Sequence, residues 1–186
     1  MKKAFLLIAT AATVGLYSFI PASKGLADTF NINTTVSRVD WSGSVKDHSH
    51  PGVVPFKSGT VTVDGGKLTG GKFVLDMTGI KSTDGAGEKL DGHLKAADFF
   101  DAGKFPEATF EIKSVTYSSA TEAEIAGTLN VKGVDAPIKF PAYIRTANET
   151  KFFAEAFFSV NKKFVGITTP MAADDIQFAV HISAKK

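Results

Sequence analysis

Glu124-Ile125-Ala126-Gly127-Thr128-Leu129-Asn130-Val131-Lys132 decides how the chain folds. Ile125, Gly127, Leu129 and Val131 alternate with Glu124, Ala126, Thr128, Asn130 and Lys132. A period of two marks an extended strand with one apolar and one wet face. Downstream, Ile138, Phe140, Ala142 and Ile144 alternate with Lys139, Tyr143 and Arg145. Phe152, Ala154, Ala156, Phe158 and Val160 form another apolar face, and Ile176, Phe178, Val180 and Ile182 the last. Upstream, the same pattern runs through Val39, Trp41, Gly43 and Val45, through Phe73, Leu75 and Met77, and through Phe110 and Ile112. Thr60 to Val63 leads into Asp64-Gly65-Gly66, a hairpin signal. Gly70-Gly71 is expected to form a second turn.

Eight such strands, each apolar on one side, predict an all-β, antiparallel sheet. Short connections favour closure into an eight-stranded barrel, which leaves no exposed edge. A barrel of that size fills its interior with side chains or holds one small ligand. Gly43, Gly127, Ala142, Ala154 and Ala156 lie among the large rings on the inward faces. Small residues there favour a cavity over a filled core, although they also suit a barrel's taper.

One block breaks the period. Between Lys89 and Phe110, Leu90, Leu94 and Ala97 recur at spacings of four and three, predicting one short helix after the third main strand. Lys89, Asp91 and Lys95 are expected on its wetter side. Phe99, Phe100 and Phe105 then place three apolar rings in a loop, where polar residues are the rule. A loop that apolar is expected to cover something greasy, as a lid.

Residues 1–27 read as a signal peptide: Lys2-Lys3, an apolar run from Ala4 to Ile20, Pro21, and small residues at Gly25-Leu-Ala27. Cleavage is expected after Ala27, with an uncleaved membrane anchor as the rival. The remaining residues, 28–186, form one domain. Their export would give a periplasmic or secreted protein. Removing Lys2, Lys3 and Lys24 takes the formal charge from +2 to −1, so no electrostatic case for nucleic acid survives. The chain has no cysteine and must be held by its core. Only Phe5 and Phe19 of its 16 phenylalanines fall in the leader.

No Gly-x-Ser-x-Gly and no Gly-x-x-x-x-Gly-Lys-Ser/Thr occurs, so the usual nucleophile and phosphate motifs are missing. His48 and His50, with Asp47, have the spacing of a weak metal site or belong to a polar loop ending at Pro51. His93 is expected at the helix–barrel junction, bonded to backbone or to Asp98, or else hydrogen-bonded to a ligand head group. Asp98 and Asp101 are expected to cap turn amides rather than to act as an acid–base pair. Gly85-Ala-Gly87 reads as a flexible helix entry rather than an anion site. His181 alternates with Val180 and Ile182 and should face solvent.

The block His93-Leu94, Asp98-Phe-Phe-Asp101, Lys104-Phe-Pro106, Thr109-Phe110 resembles the YceI-like family. Gly127-Thr-Leu-Asn-Val-Lys-Gly-Val-Asp-Ala-Pro137 is a second ordered match, and Val39-Asp-Trp-Ser-Gly43 and Lys67-Leu-Thr-Gly-Gly-Lys-Phe73 are similar too. The likeness runs from Asp28 to Lys186. It implies a lipocalin-like barrel with a long apolar tunnel that binds a polyisoprenoid, quinone-type or fatty amphiphile, in an exported bacterial protein. Sequestration, transport or storage is the implied role, without a cofactor or a bound metal. The alternatives are an isomerase or hydrolase using the same pocket, or a structural module with a filled barrel. Lys162 and Lys163 stand where the family often carries an Asp-Arg pair, and lysine lacks the planar fork of arginine. The residues expected to line the tunnel are Trp41, Val45, Phe73, Leu75, Phe110 and Leu129, then Val131, Phe140, Phe158 and Phe178. Leu94 and Phe99 are expected at the lid. The strand carrying outward Phe153 and Phe157 is expected to meet either the helix or a second subunit, the latter making a homodimer.

Overall fold

The computed structural model describes residues 27–170 and 173–186, so the expected leader lies outside it except for Ala27. In chain order the strands are β1 (Asp28–Ile32), β2 (Arg38–Ser44), β3 (Ser49–Asp64), β4 (Lys67–Asp76) and β5 (Lys81–Ser82). The helix α1 (Gly87–Lys95) follows. Then come β6 (Glu107–Tyr117), β7 (Glu122–Val131), β8 (Val134–Ala147), β9 (Lys151–Asn161) and β10 (Asp175–Lys185). Every pairing is antiparallel, and the order runs β10-β2-β3-β4-β6-β7-β8-β9. Pairing of β9 with β10, from Asp175 opposite Asn161 to Lys185 opposite Lys151, closes the ring. The result is a closed eight-stave barrel, as the alternation predicts.

One stave is made of two strands. β1 pairs with β3 and β10 at one end, where β2 has not yet begun. Between them the chain leaves the ladder at residues 33–37, and Ser37 repairs it. The Ser37 hydroxyl donates to the Ser183 carbonyl (3.1 Å) and accepts from the Ser183 amide (3.0 Å). That buried hydroxyl, 3% exposed, takes over what backbone would otherwise supply.

β3 is far longer than the Thr60–Val63 run suggests, and Asp47–Pro51 is not simply a loop, because β3 starts at Ser49. Pro51 and Pro55 read as breaks, since proline cannot donate to a ladder. Yet the Pro51 carbonyl accepts from Thr83, beyond the two-residue β5, so its side without N–H faces that short strand and not β2. Pro55 has the same parity and falls in the gap between β5 and β4. The prolines thus stand where the ladder asks little of them.

Gly65 and Gly66, with φ of 55° and 77°, form the expected β3–β4 turn. Gly70 and Gly71 do not turn. They lie inside β4, beside a register irregularity at Thr62/Val63. A glycine pair in a strand marks a bulge as readily as a turn.

The two ends of the barrel differ. At the end with the tight hairpins, Phe30, Val61, Phe152 and Ala184 are 0%, 1%, 2% and 1% exposed. There β1 supplies Phe30 and Ile32 as filling. The opposite end carries α1, the 96–106 lid and the 3-10 turn Lys162–Val165.

Candidate ligand-binding cavity

The interior holds a cavity of about 300 Å³, lined almost wholly by apolar side chains. That volume sits at the lower end of the range for small-molecule sites, roughly 300–1,000 Å³. Its wall is an aromatic belt. Phe56 on β3 meets Phe73 on β4 (ring centres 6.1 Å apart), and Phe73 stacks on Phe110 of β6 (6.4 Å). Phe110 meets Phe140 on β8 (5.5 Å), Phe140 stacks on Phe158 of β9 (4.1 Å), and Phe158 on Phe178 of β10 (5.8 Å). Trp41 on β2 stands opposite Phe178, and Leu129 on β7 opposite Phe110. Every stave therefore gives one large apolar residue to the belt. The period of two aims them inward, and the register sets them beside one another.

Small residues open the space that the rings would otherwise close. Gly43, Ala142, Ala154 and Ala156 all border the cavity. Gly52 has a different duty: a Cβ there would overlap Cζ2 and Cε2 of Trp41 and the Lys81 carbonyl. The indole lies against bare backbone at β3, and only glycine permits that approach. Gly127 likewise sits under the Phe110 ring, where a Cβ would strike both the ring and the Glu111 carbonyl.

Trp41, Val45, Phe73, Leu75, Phe110 and Leu129 all line the cavity, as do Val131, Phe140, Phe158 and Phe178. Leu94 and Phe99 line it from the cap. The cap itself departs from the expectation in several ways. The helix ends at Lys95, so Ala97 lies beyond it and is exposed, while Leu90, His93 and Leu94 line the cavity. Asp91 is not on a wet face. Its Oδ1 accepts from the Ser82 amide (2.7 Å) and the Ser82 hydroxyl (2.9 Å), which ties α1 to β5. Phe99 and Phe100 cover the cavity, packed edge to face at 4.8 Å. Phe105 does not line it and packs towards Gly133 of the β7–β8 turn.

The lid is held by backbone and by one lysine, not by the carboxylates of Asp98 and Asp101. Amides of Phe99 and Asp101 donate to the Ala96 carbonyl, and that of Phe100 to Leu94. Lys132 Nζ reaches the carbonyls of Ala97 (3.1 Å) and Phe99 (2.7 Å). No side-chain cap from Asp98 or Asp101 occurs among the hydrogen bonds of the described residues. Asp101 instead adopts φ of 50°, a region that aspartate tolerates better than most residues.

His93 sits at the junction as expected, its ring 5.9 Å from that of Phe99 and its Nδ1 4.0 Å from Asp98 Oδ2. That separation is an ion-pair distance, too long for a hydrogen bond. His48 and His50 meet through their Nε2 atoms at 3.1 Å. His50 Nδ1 lies 2.6 Å from Asp84 Oδ2, a partner that the sequence spacing did not suggest. This bond holds the Asp84 carboxyl below its ordinary pKa. No group of three or more metal-ligating side chains forms among the described residues. Gly85 and Gly87 both have positive φ, and Ala86 at the helix start offers no side-chain cap. His181 turns outward to a polar cluster, 3.4 Å from Glu155 and 3.9 Å from Asp40, under the Phe157 ring.

Lys162 has a setting that the sequence pattern does not reveal. It is 3% exposed and borders the cavity. Its Nζ donates to the Ala173 carbonyl (3.2 Å) and stands 3.8 Å from Asp174 Oδ1, while Lys163 Nζ contacts Asp174 Oδ2 at 2.6 Å. Lys163 thereby keeps the Asp174 carboxyl below its ordinary pKa. Asn161 caps the turn that carries both lysines, accepting from the Lys163 amide.

Known proteins share this barrel. The solved structure of BcnA from Burkholderia cenocepacia superposes with a TM-score of 0.72 at 18% identity, over 82% of this chain and 99% of that one. A polyisoprenoid binding domain from Saccharophagus degradans gives 0.65 at 11% identity, over 84% and 97%. A UPF0312 protein of Pseudomonas putida is 28% identical over 145 residues, which is 76% of this chain and 72% of the relative. Residues 29–184 match the YceI-like domain, and the chain belongs to that family.

Proposed function

We propose that this protein is an exported binder that encloses the chain of a long apolar lipid in its barrel and shields it from water. The observation that carries this is the cavity wall: a ring of phenylalanines opened by glycine and alanine, under an apolar lid. Such a wall offers little to a polar substrate and much to a hydrocarbon. Burial contributes about 0.8 kcal/mol per CH2, so a tail of several isoprene units gains most of its affinity from desolvation, less the cost of association. The Saccharophagus domain of the same fold is described as polyisoprenoid binding, which favours an isoprenoid tail here. Sequestration, transport or storage then follows from holding one lipid per barrel in aqueous space. The leader-like residues 1–27 support export. To test the function, the protein purified under non-denaturing conditions is extracted with organic solvent and the extract run by mass spectrometry. A prenyl-chain lipid in near-equimolar amount is expected. An empty extract, combined with no uptake of prenyl probes, contradicts the proposal.

A further inference from the structure

The chain has four histidines, and two of them meet. His48 and His50 stand two apart where β2 turns into β3, and they face each other. The turn between the strands is tight, with the Val45 amide donating to the His48 carbonyl at 2.8 Å. Gly43 lies opposite His50, and directly opposed residues of an antiparallel pair share a face. Gly43, Val45 and His50 all border the cavity. The histidine pair therefore sits at the cavity rim, with His48 exposed and the His50 side chain 24% exposed.

The two Nε2 atoms are 3.1 Å apart, and the ring centres 4.6 Å apart with their planes at 85°. A straight N–H···N bond along both ring axes would set the centres further apart, so the axes meet at an angle. Metal–imidazole bonds of about 2.0–2.1 Å place two neighbouring ligand nitrogens roughly 2.8–3.4 Å apart, a range that contains the separation seen. His50 Nδ1 lies 2.6 Å from Asp84 Oδ2, and Asp84 Oδ1 accepts from the Ala86 amide at 3.1 Å. A carboxylate that takes the Nδ1 proton fixes the ring and leaves the Nε2 lone pair free for a metal. The hydrogen bond from His50 also lowers the pKa of Asp84, which keeps that carboxylate ionised.

We propose that His48 and His50 form a two-histidine site for a divalent transition-metal ion at the cavity rim, with Asp84 as the positioning residue behind His50. Imidazole suits Cu2+, Ni2+ and Zn2+, whereas Mg2+ and Ca2+ prefer oxygen ligands. Cu2+ should bind most tightly of the three. Two protein nitrogens leave the rest of the coordination shell to water, so the ion is exchangeable and not a structural staple. Without an ion the two nitrogens share a proton. The site stands apart from the lipid-binding function and does not depend on what the barrel encloses.

The test titrates the purified protein, carrying no histidine tag, with Cu2+, Zn2+ and Mg2+ by calorimetry, and reads the copper form by electron paramagnetic resonance. One Cu2+ per chain is expected, with Zn2+ weaker and Mg2+ silent, and a copper signal split by two imidazole nitrogens. His48→Ala and His50→Ala should each weaken Cu2+ binding roughly tenfold or more. His93→Ala and His181→Ala should leave it unchanged. Asp84→Asn should weaken it about tenfold yet keep the two-nitrogen signal, which collapse of the hairpin would not. Absence of saturable Cu2+ binding overturns the site. So does binding that survives both His48→Ala and His50→Ala, or an equal loss in His181→Ala. Wild-type affinity in Asp84→Asn overturns the positioning role.

Discussion

The same stave pattern yields fully buried rings at one end of the barrel and a roof of helix and loop at the other. At the hairpin end, β1 inserts Phe30 and Ile32, and the fully buried Val61 and Phe152 close the interior. At the α1 end no strand supplies such filling; Gly43 borders the cavity there, and the roof is a helix and a loop. Stability and function have been given to different ends of one sheet. The filled end follows the rule that interiors pack like crystals, and the other leaves room that the lid and a ligand can occupy.

The largest effect that separates the ends is expected from Phe152→Ala. Phe152 is 2% exposed, so its loss should cost about 3–5 kcal/mol in denaturant unfolding. Phe158→Ala should cost clearly less: both rings border the cavity, but that of Phe158 is only half-buried. Equal losses would erase the distinction between a packed and an open end.

Gly52→Ala comes next. The added methyl would meet Trp41 and the Lys81 carbonyl, and overpacking of this kind costs about 1–3 kcal/mol. Gly43→Ala is the control, since its Cβ would find only ordinary contacts with Ile176 and Trp41. A melting temperature for Gly52→Ala no lower than that of Gly43→Ala would show the indole free to move.

These two glycines show what the sequence made legible. The alternation disclosed the barrel, its inward faces and the existence of a space, because a period of two holds over most of each stave and is interrupted only at a few bulges. It did not disclose that Gly52 seats Trp41, since that depends on register between strands joined through residues 45–48. Asp91 was misjudged, and Asp84 passed over, for a similar reason. Their partners Ser82 and His50 are fixed by tertiary placement, and a helical wheel shows only that Asp91 lies away from Leu90 and Leu94. The burial of Lys162 was not legible either, because lysine is rarely buried and the turn that sinks it is built by Asn161 and residues near Asp174.

Asp91→Ala should have a smaller effect, about 1–2 kcal/mol, since it leaves Ser82 without two hydrogen bonds. Its signature is local: faster amide exchange in α1 and the lid, with β8 and β9 unchanged. Exchange that rises everywhere would mean that the roof is not a separate unit.

The smallest expected effect is one of acid. Asp84 and Asp174 have pKa values lowered by partners, His50 and Lys163, and Asp76 by the Thr78 hydroxyl. A lowered carboxyl stabilises the fold above its unfolded value, near 4, and that contribution is lost as pH falls through the lower folded value. All three lie towards the α1 end. Acidification below about pH 4 should therefore raise exchange in α1 and the 3-10 turn Lys162–Val165 before it does so at the hairpin end. Simultaneous loosening of both ends would contradict this.

The central claim is that the open end admits a long apolar chain. Trp41 is the chain's sole tryptophan and borders the cavity, so it reports entry directly. Titration with a brominated long-chain lipid should quench Trp41 emission saturably. Gly43→Leu, which fills the space beside the indole, should keep the fold and abolish the quenching. Absence of saturable quenching in the wild-type chain, or full quenching in Gly43→Leu, would contradict a lipid-holding barrel.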